Sequence, residues 1–470
     1  MRVLESGRIS ALALALALVP TGTALAAPSG GDEAVRRELA EMRAQMQQMA
    51  QRIDSLEGQL ADARSRVDAA DAAAQTAARS AADATALAAQ ARQEPVKVAW
   101  KGAPELSDGK GWSFKPRGRL QIDAAVTDAP KGVAGSENLG FSAEFRRAFF
   151  GFDGTMPGGI GYRFEADLAN SDVQLTDVYF TYAPSRKVTL TFGHHKPFDS
   201  MEELTSDLFT SMMERAAFTT AFGFERRVGI SATYQTGKLM AQGGVFTDDV
   251  ASLNSDLDKS WSIDGRVVAM PKLAGGTLHL AASAHLRELG GAVASVRYRA
   301  RPFVHTTDLR FVDTGTLSAD AEQGLGLEAG WFAGRFHATS ESFWQKVRRP
   351  GLADPTFNGG YAEVGYLLTD DQAAYKNGVI ERVRPKAPLG AGGIGAVQVN
   401  ARYDWLDLSD AGVSGGHQRT VGVSIIWIPT AYVRFIANYG HMWLDDAALT
   451  ASGDHSYGVD AAGMRAQFDF

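Results

Sequence analysis

Three arginines at alternate positions, Arg297, Arg299 and Arg301 in VRYRAR, are the residues of this chain best placed to do chemistry. In a β-strand, alternate side chains share one face, roughly 6–7 Å apart. A guanidinium stays charged at any usable pH and offers a fork of donors that fits anionic oxygens. Like charges ~7 Å apart repel by roughly 0.6 kcal/mol in bulk-like water, a cost that water, counterions or an anionic ligand can offset. Ala294, Val296, Tyr298 and Ala300 make the opposite face apolar. The stretch predicts a strand between an aqueous and an oily phase, with an arginine ladder on the wet side.

Other constellations are weaker. His194 and His195 are adjacent, with no further histidine at metal-ligand spacing nearby, and His279 and His285 stand six apart. The chain has no cysteine, which removes a disulfide scaffold and a thiolate metal site. No nucleophile, base and orienting group rise above the scattered Ser and His of a long chain. The expectation is therefore no enzyme and no cofactor. A formal net charge of -7 argues against nucleic acid as a general partner.

The elements that must position the arginines begin with export. Arg2 and Arg8 precede the short apolar run 11–19, and Ala24-Leu25-Ala26 offers a cleavage site, so residues 1–26 read as a signal peptide, with Ala27 as the alternative cleavage position. No later window approaches the ~18 apolar residues of a membrane helix. Residues 32–93 form a second region. Val35, Leu39, Met42, Met46, Met49, Ile53, Leu56, Leu60, Ala63 and Val67 step by four and three, and alanines continue the frame to Ala91. That seam predicts an α-helical coiled coil in the periplasm that self-associates, its oligomer order not fixed by these residues. Residues 94–111 read as a linker.

From 112 the period changes from 3.5 to 2. RGRLQIDAAV (117–126) alternates Arg117, Arg119, Gln121 and Asp123 against Leu120, Ile122, Ala124 and Val126. Similar runs recur to the C-terminus, where Met464 and Phe468 oppose Arg465, Gln467 and Asp469. Short Gly/Pro turns alternate with long polar connections. A closed single-chain bacterial barrel has an even strand number, so the expected fold is all-β, a 16-stranded antiparallel transmembrane β-barrel over 112–470. Trp427, Tyr432 and Trp443 near strand ends fit interfacial girdles. The long, poorly alternating stretch 194–223 is expected to fold inward as a constriction loop.

FRRAFFGFDGTMPGGIGYRFEADLANSDVQLTDVYFTY (145–182) resembles the signature region of the phosphate-selective porins of the O and P type. GHHKPFDSMEELTSDLFTSMMERAAF (193–218), VNARYDWLDLSD (399–410) and the RAQFDF ending are similar to the same family. The resemblance covers about 112–470. It implies a trimeric, 16-stranded outer-membrane porin surrounded by lipid, with an arginine-lined anion path and phosphate as the expected cargo. It assigns that path to Arg297, Arg299 and Arg301, to Arg119, to the paired Arg146 and Arg147, and to Arg215 in the constriction loop. Adjacent Arg146 and Arg147 can both point inward only across a bulge or at a strand end. The sequence departs from part of the family at Glu203, where a lysine is expected, and that bears on phosphate preference. A general or organic-solute porin, with the coiled coil as a tether to the cell wall or another periplasmic partner, is the alternative reading.

Overall fold

A computed structural model of the chain describes residues 32–91, 96–133, 135, 139–169, 173–254, 256–291 and 294–470. The export signal expected at 1–26 lies outside them. The chain divides into two compact units, Met1–Gln93 and Glu94–Phe470.

In the first unit a single helix, α1, runs from Asp32 to Ala91. Alanine, the strongest helix former, dominates it, and no proline interrupts it. The bulky heptad residues Leu39, Met46, Ile53 and Leu60 are all exposed.

In the second unit sixteen antiparallel strands close into a barrel. They are β1 Ser113–Asp128, β2 Gly140–Met156, β3 Ile160–Asp167, β4 Gln174–Ser185, β5 Val188–His195, β6 Arg227–Gln235, β7 Leu239–Phe246 and β8 Trp261–Ala269. They continue as β9 Gly276–Glu288, β10 Ala321–Ala333, β11 Phe336–Arg348, β12 Thr356–Leu367, β13 Ala396–Asp410, β14 Val413–Thr430, β15 Val433–Asp445 and β16 Tyr457–Asp469. β16 pairs with β1 from Asp460↔Asp128 to Asp469↔Arg119, so the sheet has no open edge along the wall. Alternation sorts its faces. On β16, Met464 (67% exposed) and Phe468 (48%) face outward, while Arg465, Gln467 and Asp469 are buried inside. An apolar outside and a polar inside suit a barrel surrounded by lipid. Among the described residues no helix is long and apolar enough to cross a membrane; the spans are strands. Part of the expected linker is itself a hairpin, Lys97–Trp100 with Pro104–Ser107, which continues onto β1 through Leu106↔Phe114.

Connections at one rim are short turns, such as 157–159, 186–187 and 334–335. The opposite rim carries the long loops 196–226 and 289–320. One connection breaks the rule: 368–395 leaves the short-turn rim and folds into the lumen. Its hairpin, Tyr375–Lys376 with Val379–Ile380, turns on Asn377 and Gly378 at φ 53° and 76°. Asn-Gly is the pair that a type I′ turn favours. Arg266 on β8 donates to the Gly378 carbonyl at 2.9 Å, and His279 on β9 meets the Tyr375 hydroxyl at 2.6 Å.

The expected position of VRYRAR is corrected. It lies in loop 289–320 and not in the barrel wall. It forms two ladders of two residues each, Ser295–Val296 with Leu317–Ser318 and Arg299–Ala300 with Val312–Asp313. The alternation is real: Tyr298 (2% exposed) and Ala300 (1%) are buried opposite the arginines. The oily phase they face is the loop's own core and the barrel interior. Tyr298 packs against Phe222 and Phe357. Phe303, in the same loop, lies over Gly422 and Gly440, where an added Cβ would come within 2.5 and 2.6 Å of its ring. Pro302 ends the ladder before it can span a membrane.

Candidate anion path

The constriction loop crosses the lumen between β5 and β6 and is tied to the wall on several sides. Its first helical turn, α2 (Met201–Leu204), is capped by Ser200. The Glu341 carboxylate on β11 accepts from Ser200 Oγ at 2.6 Å and from the backbone N–H groups of Met201 and Glu202 at 3.0 and 2.8 Å. A carboxylate at a helix N-terminus satisfies donors that the helix itself leaves open. Further along, Arg434 donates to the Leu208 carbonyl at 2.8 Å and Ser424 to the Ser211 carbonyl. Arg465 binds Asp123 through both oxygens at 2.7 and 2.6 Å and reaches Glu214 at 2.8 Å.

The loop's acids reflect these ties. Burial works to raise the Asp207 carboxyl, but Arg119 and Arg147 overcome it and hold it well below the usual carboxylate range. Glu214 is depressed in the same way, burial being overcome by Arg146 and Arg465.

The expected path arginines therefore divide. Arg119 is buried against Asp207 and Glu165, and Arg147 against Asp207 at 2.7 Å. Both hold the loop. The pairing steps from Gln121↔Arg147 to Ile122↔Phe145, leaving Arg146 as the extra residue of a bulge. That bulge lets both arginines act inside the lumen, and Arg146 grips Glu214 with two bonds at 3.0 and 3.1 Å. Arg215 donates to the carbonyls of Glu202 and Thr205 at 3.0 and 2.9 Å. Arg146 and Arg215 line a cavity of about 820 Å³ together with Glu203, Glu225, Arg226 and Asp249. Arg301 approaches Glu214 and Arg215 from loop 289–320, bound to Asp308 at 3.1 Å. Arg297 pairs with Asp313 at 2.6 Å on the outer side of that loop. Arg299 is exposed beside it, and its side chain makes no hydrogen bond or ion pair with any described residue.

Glu203, the departure from the family pattern, is clamped. Lys196 reaches it at 2.5 Å and Arg215 at 3.3 Å. Burial alone would raise its carboxyl; Arg215 and Lys196 lower it instead. Two cations thus enclose one carboxylate, leaving the trio net positive. Burial, opposed by Glu203, brings Lys196 down to about 8.

A row of charge that sequence reading missed runs across the strands. Arg226 binds Asp177 at 2.6 Å; Arg163 reaches Asp177 at 3.7 Å and Asp153 at 3.3 Å; Arg117 binds Asp153 at 2.6 Å. Lys115 stands beside Asp153 in register and has no ion-pair partner among the described residues. Lys115, Asp153, Arg163 and Tyr179 are cross-strand neighbours on β1 to β4. Strands of a barrel tilt by about 35–45°, so a row along the hydrogen-bonding direction climbs the wall. Four cations stand along Asp153 and Asp177, and Arg117 also comes within 4.0 Å of Glu165. Each residue was visible in the sequence, but the register that assembles them was not.

Asp199, Asp264 and His285 bring donor atoms within 4.8 Å of one another. Arg227 already supplies a cation there, 3.1 Å from Asp264.

A family model described as phosphate-selective porin O and P matches residues 114–470. A protein of Caulobacter vibrioides described as uncharacterized is 41% identical over 476 residues, spanning 98% of this chain and 95% of its own length. Among solved structures, in-vitro folded OmpT, an outer membrane protein of Vibrio cholerae, is similar at a TM-score of 0.51 and 10% identity, over 76% of this chain and 98% of its own. OprB of Pseudomonas putida at high pH is similar at a TM-score of 0.50 and 10% identity, over 77% and 95%. These two likenesses concern the fold alone.

Proposed function

The chain belongs to the phosphate-selective porin O and P family, an outer-membrane porin by fold, and from that premise we propose that its barrel passes small anions, phosphate first, along the β1–β4 wall. The observation that carries this reading is the row Arg226, Arg163, Arg117 and Lys115, which holds four cations against Asp177 and Asp153. Partial pairing suits transport: an anion exchanges contacts with a neighbouring guanidinium at each step, and no single site is strong enough to trap it. Arg146 and Arg215 form the entry above the constriction. Arg297, Arg299 and Arg301 serve as an outer capture patch. A cationic mouth with low-dielectric walls raises the local concentration of anions.

The test is the reversal potential of the purified protein in a planar bilayer across a KCl gradient, followed by titration of phosphate against the chloride current. Anion selectivity with saturable phosphate block supports the reading; cation preference overturns it.

Selectivity should also depend on pH. Lys196 is charged below about 8 and loses its proton as pH rises through that value. Anion preference is therefore expected to fall between about pH 7 and pH 9, and Lys196→Gln to flatten that dependence.

We assign the helix at 32–91 to the periplasm as a self-associating element separate from the channel. Deleting residues 32–93 should leave single-channel conductance unchanged and alter only assembly or envelope integrity; a changed conductance would place the helix in the permeation path.

A further inference from the structure

We propose that α1 binds the same helix of other copies of this chain, parallel and in register, and that this zipper is confined to residues 35–67 while the alanine half remains an unzipped stalk. The proposal deepens the self-association assigned above. Three observations carry it.

The first is an unpartnered stripe. Val35, Leu39, Met42, Met46, Met49, Ile53, Leu56, Leu60 and Val67 follow one heptad frame, and every one is exposed. A lone amphipathic helix cannot bury such a seam.

The second is charge complementarity, which selects the partner. With Leu39, Met46 and Ile53 at the first core position, Glu38, Arg52 and Arg66 flank the seam on one side. Arg43, Glu57 and Asp71 flank it on the other. A parallel, in-register partner brings each residue of the first set beside the residue five further on in its neighbour. The pairs are then Glu38 with Arg43, Arg52 with Glu57, and Arg66 with Asp71, all of opposite sign. None of these six side chains has an ion-pair partner among the described residues of its own chain.

The third is the change of seam. From Ala70 to Ala84 every core position is alanine. Each such layer removes only a methyl group from water, against a whole Leu, Ile, Met or Val side chain in every layer from 35 to 67 except Ala63. Alanine needs no partner to stay helical, because it loses no side-chain entropy there. The complementary flanking charges also stop at Asp71. The helix thus has about 50 Å of zipper and roughly 30 Å of self-supporting stalk.

The absence of cysteine gives a clean background for the test. Met49→Cys and Ala84→Cys occupy equivalent seam positions in the two halves. Each is made singly in the full-length protein, oxidised in isolated outer membranes and followed on non-reducing gels. Met49→Cys is expected to cross-link between chains about tenfold faster than Ala84→Cys, reflecting the higher effective concentration in a zipped layer. Arg52→Glu in the Met49→Cys background should slow the reaction, and adding Glu57→Arg should restore it. Equal rates at both positions overturn the segmented zipper. No cross-link at position 49, or no rescue by the charge swap, overturns parallel pairing. Conductance of the same proteins reports separately on the channel, so failure of the zipper is distinguishable from failure of the porin reading.

Discussion

Lys115→Gln, Arg117→Gln, Arg163→Gln and Arg226→Gln combined are expected to reverse the ion preference of the pore, seen as a change of sign of the reversal potential across a KCl gradient. Asp153 and Asp177 then remain on the wall without their ion-pair partners. Two charges near a protein surface 4 Å apart interact by about 4 kcal/mol at an effective dielectric of 20, so four cations exchanged for two bare carboxylates change the potential of the path by several RT. The single variants Lys115→Gln and Arg117→Gln each remove one positive charge, and Arg117→Gln should have the larger effect because it also leaves Asp153 with Arg163 as its one remaining ion-pair partner among the described residues. A quadruple variant that stays anion-selective would move the path off the β1–β4 wall, toward Arg146 and Arg215 alone.

Arg465→Met is expected to cost the most stability of any single change in the lumen. Its side chain is wholly buried, binds both oxygens of Asp123, reaches Glu214, and donates to the Met213 carbonyl at 2.5 Å. Removing one member of a buried pair leaves its partner uncompensated, at about 3–5 kcal/mol. Arg146 still compensates Glu214 in part, whereas Asp123 has no other ion pair among the described residues. Urea unfolding of the detergent-solubilised protein should show a lower midpoint. Adding Asp123→Asn should recover part of the loss, because the second change removes the bare charge. The constriction loop loses a tie at Met213 and Glu214 in the same variant, so its single-channel current should become noisier. An unchanged midpoint would mean that water already screens this pair.

Much of the barrel was legible because its wall obeys one rule. Met464 and Phe468 outward, Arg465 and Asp469 inward, could be assigned from period two and a terminal aromatic. The bulge at Arg146 was legible for a related reason: two adjacent arginines cannot both face water on a regular strand. VRYRAR shows the limit of that rule. Alternation establishes that a segment has two unlike faces; it does not say whether the apolar one meets lipid, as on β16, or a packed interior, as at Tyr298. The row from Arg226 to Lys115 was hidden for a different reason. Its members come from β1, β3 and the end of the constriction loop, with their acids on β2 and β4, and their order depends on register set by turn lengths and bulges. The inward hairpin at 375–380 carried a readable Asn-Gly turn, yet nothing local marks a turn-rim connection as one that enters the lumen. Glu203 stood out as a departure from the family lysine; its two clamps, Lys196 and Arg215, are distant from each other in the chain and meet only across the loop.

The hairpin and the constriction loop enter from opposite rims and touch where the Ile380 backbone N–H donates to Thr205 Oγ1 at 3.2 Å. Each insert therefore braces the other from its own end of the cylinder, so loosening one also frees the other. For anyone reworking this protein as a sensing pore, the same arrangement supplies two separately replaceable inserts. One is reached from the long-loop rim and one from the turn rim, so the bore can be recut from either side while the strands of the wall stay as they are.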